Sequence, residues 1–275
     1  MVLGATGLVG RAVTKQLMAD GFDVCVVSRS GEKVAAQLGD AVTCVQCDAT
    51  KDEEILRSAL SEVDGLFIAL PDTILETAMP GIMAGALLAR VQHVVYISGN
   101  TVCAENAWHP MIKGHYAAEC CIEKSGLPYT ILKPTMIMDT IPMYANKGRA
   151  FLIGRQPNPW RWIHTADIAR YASKSFQTAQ AVNRRFSVLG KDAMSIPKAV
   201  EAFNRVHFPG AKSPKGMPFA MARILALFIG ANFRLVVDIF KYFDTHTERI
   251  DDGETIAILG SPRVGLHEFI ADYNA

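Results

Sequence analysis

Short runs rich in β-branched and aromatic residues alternate with longer stretches of helical period through the first half of the chain. Residues 23–27, 42–47, 65–70, 93–98 and 129–132 have strand length, and a further run follows at 185–188. Between the earlier runs, residues 8–19, 32–38, 53–60, 74–90 and 110–124 are each long enough to be the helix of a βα unit. Apolar runs separated by helices predict an α/β fold, a doubly wound parallel sheet with helices on both faces. Only Met1, Val2 and Leu3 precede the first glycine, which is short for an opening strand, so a trimmed start is expected.

After Pro134 the rhythm changes. Residues 148–162, with a strand-like 150–153 and a Gln-Pro-Asn-Pro turn before Trp160, read as an excursion that returns to a helix near Thr165. The remainder is mainly helical: 196–206, a Pro- and Gly-rich connector at 208–218, and a long apolar helix or helix pair reaching about Phe243. The expected division is a sheet domain at 1–190, with the excursion at about 136–163, followed by a smaller, mostly helical C-terminal lobe at 191–275.

Glycines open the chemistry. Gly4-Ala5-Thr6-Gly7-Leu8-Val9-Gly10 places G-x-x-G-x-x-G between a strand and a helix. Gly4 permits the tight turn, Gly7 lets backbone approach a pyrophosphate, and Gly10 lets the helix lie close to the strand. Unpaired N–H groups at the helix start, with about half a positive charge from the dipole, favour an anion there. At the head of a βα repeat this is a dinucleotide-binding signature, and it makes the sheet Rossmann-type.

Cofactor choice is read after the second strand, where an acidic residue would accept from the adenosine ribose. Here stand Ser28, Arg29 and Ser30. A guanidinium and two hydroxyls suit a 2′-phosphate, and one charge-assisted contact is worth roughly 1.5–3 kcal/mol, so NADP(H) is preferred. Arg11 adds a second positive charge at that corner, whereas Glu32 works against a phosphate. Both arginines also fit as solvated surface residues.

Charge and cysteines narrow the setting. The 275 residues carry 28 Lys plus Arg against 27 Asp plus Glu, a net charge of +1 with no broad basic field, so neither nucleic acid nor membrane is an expected partner. With 50% hydrophobic and 20% charged residues the chain is globular. Six cysteines spread through apolar segments suit reduced core thiols and a cytoplasmic location. Cys44 and Cys47 form a C-x-x-C on a strand, where odd spacing sends the thiols to opposite faces, and no partner pair completes a metal site. No secretory signal pattern opens the sequence. The longest apolar stretch, 217–233, contains Arg223 and falls short of the roughly 20 residues that a spanning helix needs.

The sequence resembles the atypical short-chain dehydrogenase/reductase group, in its NmrA-like and quinone-reductase-like branch. The motifs that carry the likeness are GATGLVG at 4–10, CDAT at 47–50, VVYIS at 94–98, HYAAE at 115–119, SGLPYTILKP at 125–134 and WIHTADIA at 162–169. The resemblance implies that Asp48 hydrogen-bonds the adenine amine and that Leu70 and Pro71 border the cofactor riboses. It sets Ser98 and Gly99 beside the nicotinamide, with Pro134, Thr135 and Met136 over its carboxamide end. Asp48 also fits as a capping residue for the helix that follows, and Asp167 as one for the helix near Ile168.

Catalytic members of that group carry Tyr-x-x-x-Lys on a helix, where four residues span about 6 Å and the ammonium lowers the tyrosine pKa. Alignment on Glu119 puts Met111 and His115 at those two positions, so the tyrosine acid is missing. Tyr129 and Lys133 have the spacing but lie on a strand, about 13 Å apart, and are set aside. Ser98 and His115 are then the candidate catalytic residues, with Asn100, Thr101, Lys113 and Tyr116 nearby. His115 either holds the ribose or donates a proton, its ordinary pKa near 6.5 making both states accessible, or it is a plain helix-surface histidine. The apolar helices at 217–243 read as a substrate-pocket wall, or as lobe core or dimer surface. The expected function is NADPH-dependent reduction of a small carbonyl or quinone-like substrate; a non-catalytic NADP(H) sensor is the alternative, since binding alone needs no acid.

Overall fold

A computed structural model describes residues 1–39 and 42–273; the end of the expected C-terminal lobe, 274–275, lies outside them. The first βα repeats are β1 (Val2–Leu3), α1 (Leu8–Ala19), β2 (Cys25–Ser28), α2 (Gly31–Leu38), β3 (Thr43–Gln46) and α3 (Glu53–Leu60). They continue as β4 (Gly65–Ile68), α4 (Asp72–Leu88), β5 (His93–Ile97), α5 (Pro110–Lys124) and β6 (Tyr129–Pro134). Then come α6 (Ile141–Ala145), β7 (Pro159–Arg161), α7 (Thr165–Gln177), β8 (Arg184–Val188), β9 (Ala193–Ser195) and α8 (Ile196–His207). The chain closes with α9 (Phe219–Ile229), α10 (Ala231–Thr245), α11 (Gly253–Leu259) and α12 (Leu266–Asp272).

Two compact units form, each from separate stretches of chain. The first takes Met1–Pro134, Thr165–Val188 and Ile250–Ser261. It holds a seven-stranded parallel sheet in the order β3-β2-β1-β4-β5-β6-β8. The order reverses at β1, which lies between β2 and β4 through Val2↔Val26 and Val2↔Phe67. In such sheets ligands settle at the carboxyl ends of the strands beside that switch point. The central strands are apolar on both faces because helices cover both: Leu66, Phe67 and Ile68 of β4 are fully buried. On one face α1 packs against α7, and Ser173 donates to the Asp20 carboxylate at 2.5 Å.

The second unit takes Thr135–His164, Leu189–Arg249 and Pro262–Ala275. Its core gathers Met138, Trp160, Trp162, Phe203, Val237 and Phe240. Residues 150–153 do not form the expected strand; only Ile153 pairs, as an isolated bridge to Met217. The stretch runs between left-handed turns at Lys147–Gly148 and Gly154. Two three-residue strands, β7 and β9, pair antiparallel instead. The long apolar helix is a pair, α9 and α10, broken at Gly230. Among the described residues no helix is long and apolar enough to cross a membrane, none of the six cysteines is bridged, and no His/Cys/Asp/Glu cluster could hold a metal.

Candidate functional site

The loop between β1 and α1 is shaped by close backbone approach. Gly4 has φ +86°, and a Cβ there would lie 2.2 Å from the carbonyl oxygen of Ala69, beyond the end of β4. At Gly10 a Cβ would meet the Gly4 carbonyl oxygen at 2.1 Å. Both clashes are with main chain, so neither site accepts a side chain without moving the loop. Gly7 caps α1 and makes no side-chain cap bond, and its own N–H returns to Gly4 O at 3.0 Å. Helix geometry leaves the next amides, of Leu8 and Val9, without intrahelical acceptors. Thr6 and Val9 are partly exposed and Leu8 is exposed, so this open cradle of N–H groups suits a diphosphate.

The adenosine corner is built from the ends of β2 and β3. Ser28 Oγ and Ser30 close a tight turn, Ser30 N donating to Ser28 Oγ at 3.2 Å, and Ser30 Oγ caps α2 by accepting from Lys33 N at 3.3 Å. Arg29 is exposed, as is Arg11 at the start of α1, and neither makes an ion pair among the described residues. Asp48 Oδ1 accepts from Thr50 N at 3.0 Å and Thr50 Oγ1 at 2.7 Å. Those bonds hold its carboxyl below the usual range, with Lys51 and Arg29 contributing. Asp48 therefore shapes a local turn, and the helix cap itself falls to Asp52.

Leu70 and Pro71 follow β4, and Pro71 takes the cap position of α4. The β5–β6 ladder runs on past the end of β5 through Ser98 N to Leu132 O and Asn100 N to Pro134 O, both 2.8 Å, fixing Ser98, Gly99 and Pro134 beside one another. Thr135 and Met136 belong to the second unit, where Thr135 Oγ1 donates to Glu248 and Met136 is core.

Beside Ser98 lies a buried charge cluster that sequence spacing does not disclose. Ser98 Oγ donates to Oε1 of Glu119, a carboxylate with no exposed surface. Lys133 Nζ approaches Oε1 at 2.9 Å and Oε2 at 3.1 Å, and also donates to the Val102 carbonyl at 2.7 Å. Arg185 of β8 reaches Glu119 Oε2 at 3.3 Å and pairs with Glu123 at 2.5 Å. Tyr129 and Lys133 share one face of β6, as their even spacing requires, and address successive acids of α5: Tyr129 Oη donates to Glu123 at 3.3 Å. The strand spacing excludes a Tyr-Lys couple but does not make Lys133 incidental. The available signal is the i, i+4 spacing of His115 and Glu119 on α5, where Glu119 shares the buried side with Ala118 and Ile122.

His115 Nδ1 lies 2.7 Å from the hydroxyl of Tyr96, a buried residue of β5. Burial lowers the imidazole pKa to about 4, Lys133 adding to the effect and Asp72 opposing it. The sequence expectation of two accessible states is thus corrected: the ring is neutral near pH 7. Burial also raises the Tyr96 pKa, so the phenol keeps its proton. Tyr96 has no other acceptor among the described hydrogen bonds; with its O–H donating to Nδ1, the imidazole proton sits on Nε2. Lys113 is drawn away to Glu76 at 2.9 Å on the surface.

The chain is similar to known proteins along most of its length. The chain is 28% identical over 209 residues to a (4-alkanoyl-5-oxo-2,5-dihydrofuran-3-yl)methyl phosphate reductase of Streptomyces griseus, covering 75% of this chain and 73% of that one. The structure of Citrobacter triphenylmethane reductase complexed with NADP(H) superposes with a TM-score of 0.80 at 18% identity, covering 98% of both chains. An Escherichia coli NADPH-dependent quinone oxidoreductase complexed with NADPH gives 0.78 at 19%, again covering 98% of each. At those identities the two structures establish a shared fold. The sequence profile of the NAD(P)H-binding family matches residues 4–179, from the first glycine of the phosphate loop to beyond α7, and the chain belongs to that family.

Proposed function

We propose that the chain is an NADPH-dependent reductase of a small carbonyl or quinone-like acceptor. In this reading the amides after Gly4 hold the diphosphate, and Arg29, with Arg11, selects the 2′-phosphate. Asp48 faces the adenine, Leu70 and Pro71 border the riboses, and Ser98, Gly99 and Pro134 lie along the nicotinamide. The nicotinamide, when bound, supplies a hydride. An acceptor oxygen then gains negative charge and needs a hydrogen-bond donor that costs no reorganisation.

The observation that carries this is the Tyr96–His115 bond: with the Tyr96 hydroxyl donating to Nδ1, an imidazole kept neutral by its burial holds its proton on Nε2 as a donor. Ser98 adds a hydroxyl whose own proton is committed to Glu119, so its oxygen accepts, which suits the amide or ribose of the cofactor better than the oxyanion. A quinone, which needs less acid assistance than a ketone, matches a site with a weak donor and no tyrosine acid. The reductases among the similar proteins support the same class of chemistry.

Purified protein mixed with NADPH and a panel of quinones and aldehydes tests the reading through loss of NADPH absorbance. Turnover that falls on His115→Gln is expected. Tight NADPH binding with no turnover on any acceptor would replace the reductase with a cofactor sensor.

A further inference from the structure

We propose that the tip of the α9–α10 hairpin docks on an anionic lipid surface. Of α9, only Ala222 and Ala226 are buried. Leu227 is 72% exposed, Phe228 84% and Ile229 58%, while Ile224 one turn earlier is 60% exposed. Consecutive helix positions lie about 100° apart, so the three tip residues sweep roughly 200° around the axis. A rigid partner covers one face of a helix; a fluid apolar medium surrounds a protruding tip on all sides.

The charges nearest the tip along the chain name the kind of medium. Arg223 and Arg234 flank it, both exposed, and the first acid on either helix is Asp238, one turn beyond Arg234. The net charge of +1 conceals this local excess because acids elsewhere balance it. Arg223 lies one turn before Leu227, and Arg234 lies four residues beyond Gly230, so both residues stand about 6 Å along their helix axes from the tip. A helix that dips roughly 5–10 Å into the headgroup boundary would bring both into the phosphate layer. A second copy of the chain is a poorer occupant, since a two-fold contact through the tips would bring the Arg223 and Arg234 pairs of both copies together. This proposal departs from the expectation of no membrane partner and is independent of the reductase reading.

Cosedimentation of the full chain with vesicles tests it, using phosphatidylcholine alone or an equimolar mixture with phosphatidylglycerol. The expected result is binding to the mixed vesicles that weakens with added salt and is faint on phosphatidylcholine. Phe228→Asp should reduce binding by about tenfold or more, and Arg223→Glu with Arg234→Glu by about fivefold or more per site. NADPH titration should be unchanged in both variants, which shows that they fold. Failure of the native chain to bind mixed vesicles, or binding unaffected by Phe228→Asp, overturns the proposal. So does a concentration-dependent dimer in sedimentation velocity that Phe228→Asp abolishes, which would assign the tip to a second copy.

Discussion

Replacing Glu119 by Gln leaves the Ser98 bond an acceptor oxygen but strips the charge that compensates Lys133. At 2.9 Å and an effective dielectric of about 20, the gross attraction between the two groups is about 6 kcal/mol. Desolvation costs several kcal/mol per ion, and the Glu119 side chain has no exposure while that of Lys133 has 12%, so the intact pair nets close to zero. Removing one partner leaves the other's desolvation unopposed. Glu119→Gln should therefore cost about 3–5 kcal/mol and lower the melting temperature by on the order of 10 °C.

Lys133→Met should cost less, because Arg185 still reaches Glu119 Oε2 and Ser98 still donates to Oε1. The double variant is the decisive one. With neither charge present, Arg185 retains Glu123 and the Gln carbonyl retains Ser98, so stability should return to within about 1.5 kcal/mol of the native chain. The assay is a double-mutant cycle by thermal and urea denaturation. Single-variant losses that simply add in the double variant would refute the claim that these two charges compensate each other.

Other expectations follow from the same geometry. Gly10→Ala should destabilise by about 1–3 kcal/mol, because its methyl would have to displace the Gly4 carbonyl, and it should weaken NADPH binding by isothermal titration; unchanged affinity would remove the loop from the cofactor site. Arg29→Ala should weaken NADPH by about tenfold to a hundredfold while leaving NADH nearly unaffected; equal losses would show that Arg29 does not read the 2′-phosphate. His115→Gln should lower kcat by about a hundredfold with little change in NADPH affinity, measured by steady-state turnover and titration. Because the folded His115 pKa is about 4 against 6.5 for the free side chain, the unfolded chain binds the extra proton between those values. Stability should fall as pH drops from 6.5 towards 4 and then level off for this group, a slope that denaturation of His115→Gln should reduce.

What the sequence discloses depends on whether a constraint is local. The Gly4–Gly10 loop is legible because each glycine answers a contact set within one strand-turn-helix unit, and Leu66-Phe67-Ile68 is legible because burial on both faces leaves no polar position. The strands β7 and β9 are too short to carry a period, and Trp160 pairs with Met194 across a gap that no local pattern spans. Charge compensation is hidden for the same reason: Glu119 on α5, Lys133 on β6 and Arg185 on β8 come together only when the strand order is known. The ionisation of His115 depends on its burial, which the helical spacing of the sequence does not show. Apolar helices pose the opposite difficulty. Along 217–243 nearly every position is apolar, so periodicity cannot say which face is covered, and the structure buries Ala222, Ala226, Val237 and Phe240 while leaving Leu227 and Phe228 bare. Helical pattern specifies an inner face only where a polar outer face contrasts with it, so exposure of a uniformly apolar tip is information that the fold alone supplies.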